Sequence, residues 1–335
     1  MLRTLIAMLL VITTFGAYAD LEKQDKFNAD GEMIQLTGAE FWHKLREGED
    51  GKSTSVTLEH TQLINVVGQR WREVRNEWVT PLGLLFLGGS AGALLLFYLW
   101  AGRIQLANER TGKKVLRWTP FERAMHWFTA INFLILGFSG VVLLYGKHFI
   151  LPIVPLDVWG AIINGSKVAH NYLGPLFVLG LLCMLVKWMK NNFLNKTDIE
   201  WFKQGGGLLP NGKHPDAGFC NGGEKIWFWL LATVGVVVCI SGLFLDFPIF
   251  GQTRQEMQIA NVIHAVASLG LFAAALGHIY IGTAGTEGAL EGMATGYVDE
   301  TWAKQHHKLW FDEVENAPES TEQKSQASGD EQRST

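Results

Sequence analysis

Four histidines lie inside or at the rims of long apolar segments, at His126, His170, His264 and His278. Ionisable side chains are rare in such segments, so these four are the first candidates for chemistry. His264 and His278 are fourteen residues apart in one segment; this spacing advances an α-helix by about 21 Å and leaves both side chains within about 40° of one face. Because a bilayer core is about 30 Å thick, they would lie near its opposite edges. The pattern predicts two stacked metal or haem sites in a membrane bundle.

The composition of the 335-residue chain is that of a membrane protein with polar appendages. Hydrophobic residues make up 48% of it, and the net charge of −4 gives no indication of nucleic-acid binding. The three cysteines, Cys183, Cys220 and Cys239, form no CxxC or CxxCH motif. This argues against a disulfide framework, a cysteine-ligated iron–sulfur cluster and covalent c-type haem.

Five apolar segments are long enough to cross a bilayer as helices. We therefore predict an all-α integral membrane protein, with a four-helix transmembrane bundle at residues 115–312 and one extra N-terminal transmembrane helix at residues 79–102. The segments are Pro81–Ala101, Trp127–Tyr145, Tyr172–Val186, Trp227–Phe247 and Ile259–Ile281.

The N-terminus has the features of an export signal. Arg3 precedes an apolar stretch that ends near Phe15, and Ala17-Tyr18-Ala19 fits a small-x-small cleavage site. We predict a signal peptide at residues 1–19, with an uncleaved anchor as the alternative, followed by a periplasmic segment at residues 20–78 with helical pieces near 39–48 and 63–78. The polar residues 313–335 are predicted to be a disordered cytoplasmic tail.

Basic residues alternate from loop to loop and set the orientation. The loops at 102–123 and 187–225 each carry six Lys or Arg residues, whereas 146–169 carries two and the loop after the fourth segment carries Arg254. The positive-inside rule makes the two basic loops cytoplasmic, in agreement with an exported N-terminus. Two histidines then fall at each depth: an outer pair, His170 and His264, and an inner pair, His126 and His278.

Two imidazoles that face each other across a bundle suit a six-coordinate b-type haem iron. Such closed axial positions favour electron transfer over oxygen chemistry, whereas zinc requires three or four converging ligands. The alternative is that the histidines are polar packing residues or a proton relay. The remaining histidines are predicted to be solvated; they are His43, His60, His148, His214, His306 and His307.

Other residues near the histidines permit more than one interpretation. Gly140 lies fourteen residues after His126, and its missing side chain leaves room either for helix packing or for a flat ring. Arg117 and Arg123 are candidates to bind haem propionates at the inner edge, although positive-inside charge explains them equally well. Tryptophans near the segment ends are predicted to be interfacial anchors: Trp127, Trp188, Trp227 and Trp229.

The sequence around the histidines resembles the cytochrome b556 (gamma) subunit of respiratory formate dehydrogenases. The resemblance covers about residues 115–315. It is carried by Glu122-Arg123-Ala124-Met125-His126-Trp127, Lys167-Val168-Ala169-His170-Asn171-Tyr172-Leu173-Gly174, Asn261-Val262-Ile263-His264-Ala265, Gly277-His278-Ile279-Tyr280 and Trp302-Ala303-Lys304-Gln305-His306-His307.

The resemblance implies a dihaem cytochrome b of the bacterial inner membrane that works in anaerobic respiration. Two haems b would be ligated by His170 with His264 and by His126 with His278. Electrons would come from an iron–sulfur (beta) subunit and a molybdenum or tungsten catalytic (alpha) subunit, and would reach menaquinone or ubiquinone on the cytoplasmic side. No formate-oxidising site is expected in this chain, and no residue is assigned a catalytic role.

The same resemblance places a quinone site beside the inner haem, formed by Asn221, Gly223 and His278. The chain departs from the family pattern at Cys220, where tyrosine is frequent, and at Glu224, where glutamine is frequent. Glu224 is either a proton donor to the reduced quinone or a solvated loop charge.

Two other functions remain open from the sequence. A cytochrome b subunit of a membrane-bound hydrogenase or thiosulfate reductase would have the same haem arrangement. A proton-coupled transporter would use the histidines as a relay. Residues 20–101 lie outside the region of resemblance, and no role is assigned to them.

Overall fold

The computed structural model describes residues 51–52, 62–64, 66–207 and 214–316, and these are mostly helical. The predicted signal peptide, the predicted helical piece at 39–48 and the tail beyond residue 316 lie outside the described residues. Strands β1 (Gly51–Lys52) and β2 (Gln62–Ile64) form a short antiparallel pair before the first long helix.

Within the described residues, five helical stretches are long and apolar enough to cross a membrane, as predicted. The first consists of α1 (Val66–Glu73), a π-helical turn (Val74–Val79) and α2 (Thr80–Ala101). The next two are α3 (Pro120–Phe149) and α4 (Leu156–Trp188), and a short α5 (Lys196–Lys203) follows. The fourth joins α6 (Gly222–Leu230) to α7 (Val236–Asp246) through a π turn (Leu231–Gly235), and the fifth is α8 (Arg254–Tyr280), extended by a π turn (Ile281–Gly285). The chain is a multi-pass helical membrane protein.

Capping residues determine where the helices begin. Thr119 caps α3 and Thr253 caps α8, and in each case the hydroxyl accepts from the backbone N–H of a glutamate three residues later. The glutamate side chain in turn accepts from the cap residue's own N–H. Such capping boxes satisfy backbone donors that a helix start leaves free. The start of α4 is less visible in the sequence: the helix begins at Leu156, sixteen residues before the predicted apolar segment, because its polar first half is also helical and hydropathy detects only the apolar half.

The extra N-terminal helix packs closely against the four-helix bundle. A Cβ on Gly83 of α2 would lie 2.5 Å from Leu269 Cδ1 and 2.6 Å from the Tyr145 hydroxyl, so only glycine permits this approach. The Tyr145 hydroxyl donates to the Thr80 carbonyl at 3.0 Å. Val79, Tyr145, Val262 and Leu269 form one buried cluster at this contact.

A small folded unit closes the inner end of the bundle and is called the inner cap. It contains β3 (Lys114–Leu116), α9 (Ala289–Thr295), β4 (Tyr297–Asp299), α10 (Glu300–His306) and α11 (Lys308–Glu315). β3 and β4 pair antiparallel, with Val115 opposite Val298. Val298, Trp302, Ala303, Trp310 and Phe311 form its buried core. α11 continues through Glu315, past the boundary predicted at residue 313.

Candidate functional site

The structure brings the four histidines together as two pairs. The ring centroids of His170 and His264 are 6.1 Å apart, and those of His126 and His278 are 6.4 Å apart. α8 supplies one member of each pair, α4 supplies His170 and α3 supplies His126. The pairing is the one that loop charge and helix geometry predict.

The outer pair is held by two Ser-Gly dipeptides in different helices. Ser139 Oγ lies 2.9 Å from His170 Nδ1, and Ser241 Oγ lies 3.1 Å from His264 Nδ1. The next residue leaves space for the ring in each case: a Cβ on Gly140 would lie 3.4 Å from His170 Cε1, and one on Gly242 would lie 3.0 Å from His264 Cε1. Each histidine therefore has a polar partner at Nδ1 and a glycine against its ring.

The hydrogen bonds of His264 indicate which ring nitrogen is free. Its Nδ1 also lies 3.1 Å from the Val238 carbonyl oxygen, and a carbonyl oxygen only accepts. Nδ1 therefore carries the proton and donates it, which leaves the Nε2 lone pair for a ligand bond. A histidine that ligates a metal commonly donates its other N–H to a carbonyl in this way.

The inner pair is surrounded by aromatic rings. Trp227 stacks on His278 with centroids 4.8 Å apart and planes 9° apart, and Trp127 meets His126 edge-on at 5.3 Å. Nδ1 of His126 is buried and has no hydrogen-bond partner within the described ranges. The prediction that Trp227 is an interfacial anchor stays a prediction; in the structure its ring also contacts His278, because α6 brings it towards α8.

The spacing of both pairs fits two axial ligands of one metal. Two metal–imidazole bonds of about 2 Å each, with about 1.1 Å more from each nitrogen to its ring centre, place two axial rings about 6.2 Å apart. Across residues 66–207 and 214–316, no three His, Cys, Asp or Glu side chains gather into a metal-binding group. A cavity of about 370 Å³ adjoins the outer pair, and its lining includes Gly137, Gly140, Gly174 and Gly242. The donor set therefore fits a flat macrocycle with two axial histidines better than a zinc ion.

The predicted quinone loop begins α6. The Asn221 side chain accepts from the Glu224 N–H at 3.0 Å, and the Glu224 carboxylate accepts from the Asn221 N–H at 2.8 Å. A Cβ on Gly223 would lie 3.1 Å from the ring of Trp201. A buried ion pair joins the loop to α5, with Lys225 Nζ 2.8 Å from an Asp198 carboxylate oxygen. Trp227, which stacks on His278, lies in the second turn after this loop.

Glu224 has contacts that a freely solvated loop charge would lack. Besides capping α6, its Oε1 lies 3.4 Å from Arg117 Nη2. Arg117 is buried, and its guanidinium carbon lies 5.0–5.5 Å from the centroids of four aromatic rings. These rings belong to Trp118, Phe219, Trp302 and Trp310. Burial lowers the pKa of Arg117, and the Glu224 charge opposes that shift.

Two histidines predicted to be solvated are enclosed by the inner cap. His307 is 1% exposed; its Nδ1 donates to the Gly218 carbonyl at 2.8 Å and its Nε2 accepts from Arg117 Nη2 at 3.2 Å. Burial and the Arg117 charge lower the pKa of His307 well below its ordinary value, and burial beside His214 and Arg117 lowers the pKa of His306 to about 3. The prediction of solvated tail histidines is wrong for both, because β-pairing and the Trp302–Phe311 core fold this segment back onto the bundle.

The two arginines considered for inner propionates are engaged by the protein itself. Arg117 is enclosed as described; its Nη2 donates to the Phe219 carbonyl, whereas its buried Nη1 lacks a hydrogen-bond partner within the described ranges. Arg123 donates to the carbonyl oxygens of Met293 and Ala294. Arg123 therefore holds the inner cap onto α3, and Arg117 joins His307 of the cap to Phe219 and Glu224 at the start of α6.

The sequence reasoning did not identify Ser139 and Ser241 as supports of the outer pair. A recognisable signal exists: Phe138-Ser139-Gly140-Val141 and Ile240-Ser241-Gly242-Leu243 repeat one apolar–Ser–Gly–apolar pattern in two membrane segments. Inside an apolar helix, the serine of this pair can form a hydrogen bond to a neighbouring histidine. The glycine beside it has no side chain and leaves room for the imidazole ring.

Comparison with known proteins gives relatives among respiratory cytochromes. The cytochrome b556(Fdn) subunit of the nitrate-inducible formate dehydrogenase of Escherichia coli (strain K12) is 29% identical over 211 residues, which are 61% of this chain and 94% of that protein. The cytochrome b556(fdo) subunit of the same strain is 28% identical over 61% of this chain and 95% of its own length. The formate dehydrogenase cytochrome b556 subunit of Haemophilus influenzae is 26% identical over 63% and 87%.

The family model for prokaryotic cytochrome b561 matches residues 117–296. That range contains all four histidines and the Asn221 loop, whereas α1 and α2 precede it. Because the match spans more than half of the 335 residues, the chain belongs to the prokaryotic cytochrome b561 family, whose members are helical membrane proteins with haem b.

Proposed function

We propose that the chain is the membrane-anchoring dihaem cytochrome b subunit of a formate dehydrogenase, which passes electrons from a periplasmic iron–sulfur subunit to quinone in anaerobic respiration. The observation that carries the proposal is the pair of facing histidine sites, 6.1 and 6.4 Å between ring centroids, at two depths along α8. The three relatives named above are formate dehydrogenase cytochrome b556 subunits.

His170 with His264 and His126 with His278 are the proposed axial ligands of two b haems. Bound there, the haems would supply reversible one-electron chemistry with both axial positions closed. The protein fixes the outer imidazoles through Ser139, Ser241 and the Val238 carbonyl, and positions His278 by stacking it on Trp227. These contacts fix the orientation of the imidazoles.

The proposed quinone site lies at the inner end and uses Asn221, Gly223 and His278. Helix α6 connects its parts, because the Asn221 cap starts the helix and Trp227 on the same helix stacks on His278. The Lys225–Asp198 ion pair and the Arg117–Glu224 contact hold this helix start from two sides. A quinone bound here would lie beside the inner pair, where electrons arrive, and menaquinone and ubiquinone are both compatible with it.

The proposed setting is the bacterial inner membrane, with the mature N-terminus periplasmic and the C-terminus cytoplasmic. The proposed partners are an iron–sulfur (beta) subunit at the outer end and, through it, a molybdenum or tungsten catalytic (alpha) subunit. Residues 1–19 would be a signal peptide, and 115–312 the dihaem domain. This chain would contribute no formate-oxidising site.

Purification of the tagged chain from its own membranes tests this function. We expect it to co-purify with an iron–sulfur subunit and a molybdenum or tungsten subunit, and formate should reduce its b-type haem bands. The exposed His148→Ala variant is a control that should behave like the unaltered chain. Co-purification with a nickel–iron subunit, or oxidation of the reduced haems by thiosulfate with no reduction by formate, would assign the chain to a different complex. A purified chain without haem bands would favour the proton-coupled transporter.

A further inference from the structure

The cavity beside the outer pair has a polar mouth formed partly by the N-terminal helical stretch. Arg75 of the π turn lines the cavity together with His170 and His264. Among the described residues that line it, formal charge other than on histidine is carried by Arg75, Lys167 and Asp246. The mouth therefore carries two cations and one anion, and it can accept a further carboxylate.

The backbone around Arg75 is arranged to present this side chain. A π-helical turn runs over Val74–Val79, and both the Thr80 N–H and the Thr80 hydroxyl donate to the Arg75 carbonyl, the latter at 2.7 Å. One extra residue in a turn rotates the side chains before it by about 100° about the helix axis relative to those after it. Single π turns within α-helices are rare and frequent at functional sites.

The same stretch also packs behind the cavity lining with apolar side chains. Trp71 and Val74 pack against the buried cluster of Val79, Tyr145, Val262 and Leu269, and Leu269 lines the cavity. The stretch therefore reaches the cavity itself through Arg75 and supports its lining through Leu269. The family match begins only at residue 117, so Arg75 comes from a part of the chain that the family model does not contain.

An unpartnered amide lies in the lining of the same cavity. Oδ1 of Asn261 is shielded from solvent and has no hydrogen-bond partner in the described part of the chain. Asn261 is three residues before His264 on α8, so it lies on the same face at the outer end. Its amide can bond to the polar edge of a ligand whose flat body reaches between the histidines.

We infer that Arg75 binds a propionate carboxylate of the outer haem, and that the N-terminal helical stretch completes the outer haem pocket. A haem has an apolar face and two carboxylates, which match the glycine-lined interior and the cationic mouth of this cavity. A guanidinium forms strong paired hydrogen bonds to a carboxylate. The role of Arg75 rests on the proposed function, because it requires a haem at the outer pair.

A redox titration of the purified complex tests this role, with each haem followed by its visible and EPR signals. The outer haem is identified as the component that disappears in His264→Ala. In Arg75→Gln we expect a lower midpoint potential for the outer haem and an unchanged inner haem, because a nearby cation stabilises the form that holds one more electron. Arg75→Lys, which keeps the charge, should shift it less.

Arg72→Gln is the matched control, because Arg72 is an exposed residue of the same helical stretch and does not line the cavity. Equal shifts in the Arg72 and Arg75 variants, no shift in either, or a shift of the inner haem would overturn the assignment. If Arg75→Gln does not accumulate, Arg75→Ala takes its place with the same expected lowering of the outer component; an unchanged potential would overturn the assignment. Absence of any haem in the unaltered complex would instead refute the proposed function.

Discussion

At the scale of single residues, the outer histidines are positioned by their neighbours in two other helices. His264 Nδ1 is within 3.1 Å of both the Ser241 hydroxyl and the Val238 carbonyl, so its proton is fixed on that nitrogen. His170 has the equivalent serine contact at 2.9 Å. Gly242 leaves out a Cβ that would lie 3.0 Å from His264, whereas a Cβ on Gly140 would only reach contact distance of His170, 3.4 Å.

A methyl group at Gly242 should disturb the outer site selectively. The new Cβ would lie 3.0 Å from His264 Cε1, so the imidazole must shift away from its hydrogen-bond partners. For Gly242→Ala we expect a weakened or altered outer-haem EPR signal and an unchanged inner one. Gly88→Ala is the control, since a Cβ there meets nothing within 4 Å. Equal effects at both positions, or an altered inner signal, would contradict this account of the glycine.

His307 should make the stability of the inner cap depend on pH. Its pKa in the folded chain is well below the ordinary value, whereas the unfolded chain has a pKa of about 6.5. Protonation therefore favours the unfolded state, and stability falls as pH decreases below about 6.5, by at most about 1.4 kcal/mol per pH unit for this one group. We expect His307→Gln to reduce the slope of the unfolding free energy between pH 7 and 5, measured by denaturant titration. An unaltered slope would show that His307 does not titrate on unfolding.

At the scale of elements, α6 connects the inner pair to the loop that precedes it. Its N-cap is Asn221, and its sixth residue, Trp227, stacks on His278. A change at the cap should therefore reach the inner histidine as well as any ligand bound at the loop.

Two asparagine caps allow the quinone role to be separated from helix capping. Asn221 caps α6 and Asn195 caps α5, each within a capping box, and loss of either cap should cost about 1 kcal/mol. Asn221→Ala should in addition slow quinone-dependent reoxidation of the haems and raise the quinone concentration needed, whereas Asn195→Ala should leave both unchanged. The kinetics are measured by stopped flow with a soluble quinone. Similar kinetics in the two variants would remove Asn221 from the proposed site.

The sequence predicted some elements well because their signals are local. Apolar length and loop charge are properties of short segments, and they were sufficient for five helices and for the two-by-two pairing of histidines. The polar first half of α4, from Leu156, was not predicted because hydropathy detects the apolar part of a membrane helix and not its polar extension. The burial of Arg117 and His307 depends on Val115 pairing with Val298 across the sequence, which no local pattern indicates.

In the whole molecule, the two histidine pairs lie at two depths along α8. The Asn221 loop lies at the end of the inner pair, and Arg75 lies beside the outer pair. In the proposed orientation, electrons enter at the outer end and protons for quinone reduction come from the inner side. Each charge moved across the membrane is then worth about 2.3 kcal/mol per 100 mV. The inner cap closes the end where quinone would be reduced, and α2 packs along the bundle from Tyr145 near one end to Tyr280 near the other.

In this proposal each facing histidine pair binds one haem b. Counting the haems in single histidine variants tests this directly. The purified unaltered chain should contain two b haems per polypeptide, by pyridine haemochrome assay and low-spin EPR. His170→Ala and His264→Ala should each lose the same haem, and His126→Ala and His278→Ala the other, with His148→Ala retaining both. One haem per chain in the unaltered protein, or two variants of one pair that lose different haems, would contradict the account.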